Sequence, residues 1–139
     1  MLYSKKVYFI DIAVAKQVGF RMSEDKGRLL ENIIFIELLR RKYEVYFHRE
    51  KKECDFIIRE QGKITLVIQV CYDLQDAKTK EREMAGLFEA MQAYDLNYGI
   101  ILTWDEEERQ AYKNDKIVVD IIPVYQWLLN GVSIKHLHG

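Results

Sequence analysis

Hydrophobic and polar positions divide residues 53–73, ECDFIIREQGKITLVIQVCYD, into two runs rich in Ile, Val, Phe and Tyr around the polar break Glu60-Gln61-Gly62-Lys63. That pattern predicts a β-hairpin. With a three-residue loop of Gln61, Gly62 and Lys63, Glu60 pairs with Ile64 and Asp55 falls opposite Gln69. Directly opposed residues share a face. One face then collects Cys54, Phe56, Ile58, Ile64, Leu66, Ile68, Val70 and Tyr72. The other collects Glu53, Asp55, Ile57, Arg59, Thr65, Val67, Gln69 and Cys71. The first set is almost purely apolar, and a slip of one residue would mix the two. Glu53, Asp55, Gln69 and Cys71 are thereby gathered at the open end of the hairpin.

The same patterning predicts the flanking elements. Residues 5–11 (KKVYFID) read as a short strand and 12–18 as a short helix, followed by a polar connection over 19–27. Residues 28–41 (RLLENIIFIELLRR) read as a helix with Gly27 near its start and basic residues in its last turn. Its apolar positions wrap nearly all round, the pattern of a buried helix. Glu31 sits among Ile34, Phe35 and Leu38 at helical spacing, so a largely buried carboxylate is expected there, needing a partner, a metal or a proton. Glu37 has an obvious i,i+4 partner in Arg41. Residues 43–49 alternate as a strand leading to the turn Glu50-Lys51-Lys52. Residues 76–94 read as a second long helix, with Asp76 as N-cap and Met84, Leu87, Phe88 and Met91 as its apolar stripe. The dense charge of its first turns reads as a solvated face. Residues 98–104 form a buried-type strand, 105–108 an acidic loop and 116–122 another strand, and Pro123 opens a short final helix through Leu129. The outcome is an α/β domain with a mixed central sheet and flanking helices. Strands joined through a long helix are expected to pair in parallel.

Composition narrows the class. A chain of 139 residues with 49% hydrophobic content suits one folded domain, with 1–27 as a lead-in segment and 28–131 as the core. No apolar run reaches membrane-spanning length and no signal-peptide pattern opens the chain, so no membrane partner and a cytoplasmic location are expected. Cys54 and Cys71 point to opposite faces in the register above, which argues against a disulfide between them and fits a reducing compartment. A net charge of −1 does not announce a nucleic-acid binder, although a local basic strip would allow one.

Candidate chemistry is sparse. The chain has no GxxxxGK[ST], hence no nucleotide site of that kind, and neither GxSxG nor a zinc-type Cys/His cluster. His136 and His138 form an isolated HxH without a third ligand, and His48 is a lone strand histidine with a structural reading. The remaining constellation is a helix carboxylate, Glu31, followed by a hairpin carrying Asp55 on one strand and Gln69-Val70-Cys71 on the next.

That arrangement resembles the PD-(D/E)XK (Holliday-junction-resolvase-like) nuclease core, in which a helix Glu, a strand Asp and a Glu-x-Lys hold a divalent metal and activate water. More closely, GRLLENIIFIELLRR, ECDFII and LVIQVCYDL resemble the C-terminal nuclease-like domain of a group of archaeal and bacterial AAA+ ATPases, a domain without an assigned activity. The lead-in KKVYFIDIAVA and the ending IIPVYQWLL resemble it too. The resemblance implies a restriction-endonuclease-like core with Glu31, Asp55, Gln69 and Cys71 as its site positions. It implies metal ligation by Glu31, Asp55 and Gln69, if any, and an AAA+ ATPase module, in the same or another chain, as partner. Two positions depart from the pattern. Gln69 removes a negative charge that a hard cation wants, and Cys71 supplies no positive charge at neutral pH. Lys78, Lys80 or Arg82 of the following helix is the candidate for a displaced cation. The expectation is a catalytically degraded accessory or binding domain, more a binder than an enzyme, without a cofactor. The alternatives are an active Mg²⁺- or Mn²⁺-dependent DNA nuclease and a standalone protein-interaction domain.

Overall fold

The structure, a computed structural model, describes residues 2–4 and 22–130. The strand expected over 5–11, the helix over 12–18 and the pair His136 and His138 lie outside them. Chain order is β1 (Leu2–Ser4), α1 (Met22–Arg40), β2 (Glu44–Arg49), β3 (Glu53–Glu60), β4 (Lys63–Val70), α2 (Ala77–Ala93), β5 (Tyr98–Thr103), β6 (Glu108–Tyr112), β7 (Ile117–Pro123) and α3 (Val124–Leu129). The strands form an open mixed sheet in the order β1-β2-β3-β4-β5-β7-β6, seven with the three-residue β1 included. β1 to β4 are antiparallel neighbours, while β4–β5 and β5–β7 are parallel. The β4–α2–β5 unit is therefore the parallel crossover that the pattern predicts.

β6 is an addition to the expected elements. Its sequence ERQAY carries no apolar alternation, because it is an edge strand that contacts only β7 in the ladder and exposes most of its side chains. Charged residues on such an edge discourage pairing with other chains.

The sheet has an apolar layer on each face. Phe56, Ile58, Leu66, Ile68, Ile100 and Leu102 pack with Leu30, Ile34, Phe35 and Leu38 of α1, and the Phe35 and Phe56 rings stack at 6.2 Å. Ile57, Val67, Ile101, Val119 and Ile121 pack with Met84, Leu87, Ala90 and Met91 of α2. The stripe of α2 is as its periodicity predicts, and Asp76 caps it by accepting from the Thr79 N–H at 3.0 Å.

α1 departs from expectation twice. It starts at Met22, inside the stretch read as lead-in and connection, so Gly27 is within the helix rather than at its start. It is also not buried all round. Leu30, Ile34, Phe35 and Leu38 are sealed, whereas Leu29, Ile33, Ile36 and Leu39 are 38–43% exposed. A helix lying on one sheet face presents only one side to that layer, whatever its composition.

The hairpin register agrees with expectation from Ile58↔Leu66 through Phe56↔Ile68 and differs at the tip. There Glu60 pairs with Lys63, leaving a two-residue turn of Gln61 (φ 52°) and Gly62 (φ 79°), both left-handed. Left-handed turns match the twist of the flanking strands. A bulge between Ile58 and Arg59 absorbs the difference, and Ile64 accordingly packs on the α2 side. Cys54 also packs on the α2 side, with Ile57 rather than with Phe56. Cys71 packs against the same cluster, so the two cysteines share a side rather than facing apart as the register predicts, and both are free thiols.

Candidate functional site

Ladder pairing between β3 and β4 runs out beyond Phe56↔Ile68, and side chains take over. The Asp55 N–H donates to Gln69 Oε1 at 2.9 Å, and the Val70 N–H donates to Asp55 Oδ2 at 2.9 Å. Asp55 and Gln69 are the cross-strand neighbours that the register predicts, and each replaces a missing rung of the ladder. The Gln69 carboxamide continues outward, its Nε2 donating to Glu53 O at 3.0 Å and to Glu83 O at 3.2 Å. At 3% exposure it ties β3, β4 and α2 together. A carboxamide suits the position because it presents an acceptor on one side and two donors on the other.

Gly86 makes this close approach possible. A Cβ there would sit 2.2 Å from Glu53 O and 2.7 Å from Gln69 Nε2. An interior helix glycine costs roughly 1 kcal/mol relative to Ala, and here the absent side chain lets α2 settle onto the hairpin end.

Beside this brace lies a cleft of about 810 Å³ between the first turns of α1 and α2. Its carboxylates are Glu31, Asp55, Asp73 and Glu83, its cations Lys26, Arg28 and Arg82, and Cys71 lines it too. The structure thus brings Glu31, Asp55 and Cys71 to one cleft, as the spacing suggests, but puts Gln69 beneath it. Glu31 is partly buried, on the helix side that borders the opening. Lys78 and Lys80 do not line the cleft. Lys80 instead pairs with Glu108 of β6 at 2.9 Å. Tyr72 borders the opening, with the Lys26 ammonium 5.3 Å from its ring centroid and Trp104 stacked on it at 5.5 Å.

Burial dominates the electrostatics. It pushes the Cys71 thiol up to about 11, helped by Glu83, so the thiol is neutral near pH 7. Burial also raises the Glu83 carboxyl above its ordinary range, with Arg82, 3.5 Å away, opposing it and Glu31 and Glu53 adding to the rise. Glu37 lies away from the cleft and behaves as expected of a paired carboxylate. Hydrogen bonds from Arg40, and then from Arg41, hold it down to about 2. His48 is likewise structural, fully buried between the Tyr94 hydroxyl at 2.8 Å and Glu89 at 3.1 Å.

Two of the expected metal ligands, Asp55 and Gln69, are partly committed to backbone. The Gln69 oxygen is taken by the Asp55 N–H and one Asp55 oxygen by the Val70 N–H. Among the described residues, no group of three or more His, Cys, Asp or Glu side chains is placed to hold a metal ion. Of the displaced-cation candidates, Arg82 lines the cleft. Sequence reasoning missed Glu83 and Lys26, the first in a charge run that reads as solvated face and the second in a stretch that reads as loop. Gly86, interrupting the α2 pattern, was the available signal for the close packing.

Comparison with known proteins gives a family-model match over residues 26–127, described as a domain of unknown function (DUF4143). An uncharacterized protein of Methanocaldococcus jannaschii is 34% identical over 133 residues, covering 89% of this chain and 29% of the relative. An uncharacterized protein of Haemophilus influenzae is 28% identical over 125 residues, covering 89% of this chain and 28% of the relative. The chain therefore spans under a third of the length of either.

Proposed function

The chain belongs to the DUF4143 family, and from that premise we propose that it is a catalytically degraded PD-(D/E)XK-like accessory domain. It would act as a binding module comparable to the C-terminal part of an AAA+ ATPase. The observation that carries this reading is the commitment of the Gln69 carboxamide. Its oxygen and both its donor contacts are spent on Asp55 N, Glu53 O and Glu83 O. A nuclease of this type needs an anionic ligand at that position and a cation two residues on, to steady the attacking hydroxide and the developing charge. Here the second position carries a neutral thiol. The carboxylate positions Glu31 and Asp55 persist, joined by Glu83, and Lys26, Arg28 and Arg82 border them. Such a mixed-charge cleft suits recognition of a polar partner group better than hydrolysis.

The accessory role draws support from the length of the relatives, each more than three times the matched segment. No helix among the described residues is long and apolar enough to cross a membrane. The free thiols support a reducing, cytoplasmic location.

The test is Mn²⁺ titration by electron paramagnetic resonance, with cleavage assays on single-stranded and branched DNA in Mg²⁺ or Mn²⁺. The parent and Asp55→Ala are expected to be equally inactive. Cleavage by the parent that disappears in Asp55→Ala would establish the active-nuclease alternative.

A further inference from the structure

Far from the cleft, a hollow of about 470 Å³ opens between the last turns of α2, the α2–β5 connection and the β6–β7 hairpin. That volume lies in the range of small-molecule sites, roughly 300–1,000 Å³. Its lining is chiefly apolar, with Phe88, Met91, Leu96, Tyr112 and Ile117 contributing, and the Phe88 and Tyr112 rings meet edge to face at 5.2 Å. Two opposite charges border it from separate loops, Asp95 after α2 and Lys113 in the hairpin. Neither side chain joins an ion pair among the described residues, whereas Glu108 and Arg109 of the adjoining strand β6 both do.

The two loops share a second property. Four of the six non-glycine residues with left-handed φ among the described residues are Asp95 (57°), Lys113 (50°), Asn114 (57°) and Asp115 (66°). No residue lining the candidate cleft adopts such a conformation. L-residues are held there against a steric cost, and such positions cluster where a site is pre-shaped. Asp95 owes its conformation in part to the end of α2, where the Leu96 N–H donates to Met91 O at 2.8 Å. Fixed backbone at both loops also limits the ordering cost of engaging a ligand with their charges.

We propose that this hollow is a second binding site, taking a zwitterionic α-amino acid with an apolar side chain. The side chain lies on the apolar floor, the ammonium group meets Asp95 and the carboxylate meets Lys113. An uncharged apolar molecule would leave both rim charges unused, and a purely ionic one would leave the floor wet. This site is independent of the proposed function and stands or falls separately.

The experiment is isothermal titration of the full chain with L-phenylalanine, paired with NMR shift mapping. The expected Kd is about 0.1–1 mM, with perturbed resonances at Met91 and Tyr112. Asp95→Asn, a type that tolerates the left-handed region, and Lys113→Gln should each weaken binding at least tenfold. Their melting temperatures should match the parent, which separates a lost contact from a lost fold. N-acetyl-L-phenylalaninamide, which lacks both charges, should also bind at least tenfold more weakly. Absence of saturable binding up to about 10 mM would overturn the proposal. Undiminished affinity in both variants, or for the uncharged analogue, would overturn it equally.

Discussion

Placing a glutamate at position 69 should damage the fold. In Gln69→Glu, the Nε2 group is replaced by an oxygen facing Glu53 O at 3.0 Å and Glu83 O at 3.2 Å. Both carbonyls lose the Nε2 donor, Glu83 O keeping its helical one, at about 1–3 kcal/mol in all, and an anion faces them. The carboxyl can escape by staying protonated and donating to one carbonyl, at about 1.4 kcal/mol per unit of pKa rise. The lower of these routes sets the loss, so about 2–4 kcal/mol is expected at pH 7. For a chain of this size that corresponds to a melting temperature lower by roughly 6–15 °C. A carboxyl favoured in its protonated form has a folded pKa above its unfolded value of about 4.3. Its deficit is therefore smallest below about pH 4.3 and grows as pH rises through the folded value. Urea unfolding followed by circular dichroism at about pH 4 and pH 7 would measure both. A variant within about 0.5 kcal/mol of the parent at pH 7, with an unchanged m-value, would refute the view that Gln69 acts as a brace.

Two further outcomes follow from the same region. Gly86→Ala gains up to about 1 kcal/mol of helix propensity but puts a Cβ 2.2 Å from Glu53 O. Because the obstacle is backbone, a net loss of about 2–4 kcal/mol is expected by thermal unfolding. A melting temperature equal to or above the parent's would show that α2 can lift without penalty. Glu83→Gln should raise stability at pH 7 and change it little at acid pH. Burial raises the folded pKa of Glu83, so its contribution is full below the ordinary carboxylate range and is lost as pH rises through the raised value. Stability curves of parent and variant that stay parallel from about pH 4 to pH 7 would contradict that sign.

Local pattern determined much of this protein, because burial on a sheet or helix imposes a period that side-chain types record directly. The strand period fixed the pairing of Ile58 with Leu66 and of Phe56 with Ile68, and through it the meeting of Asp55 with Gln69. The helical period and the Asp76 cap fixed α2, and the pairing of Glu37 with Arg41 followed from i,i+4 spacing. Tertiary structure decided what spacing does not carry. The two-residue turn at Gln61 and Gly62 moved Ile64 across the sheet, since a single bulge inverts alternation beyond it. β6 exists by pairing with β7, not through any apolar signal of its own. The α1 stripe around Ile33 is open because only one layer lies beneath the helix. Gln69 has two plausible roles on paper, weak metal ligand or polar sheet residue. Its true surroundings, two carbonyls and an N–H, are set by how closely α2 descends at Gly86. That distance is a property of packed backbones, and it is what makes Gln69 a structural brace.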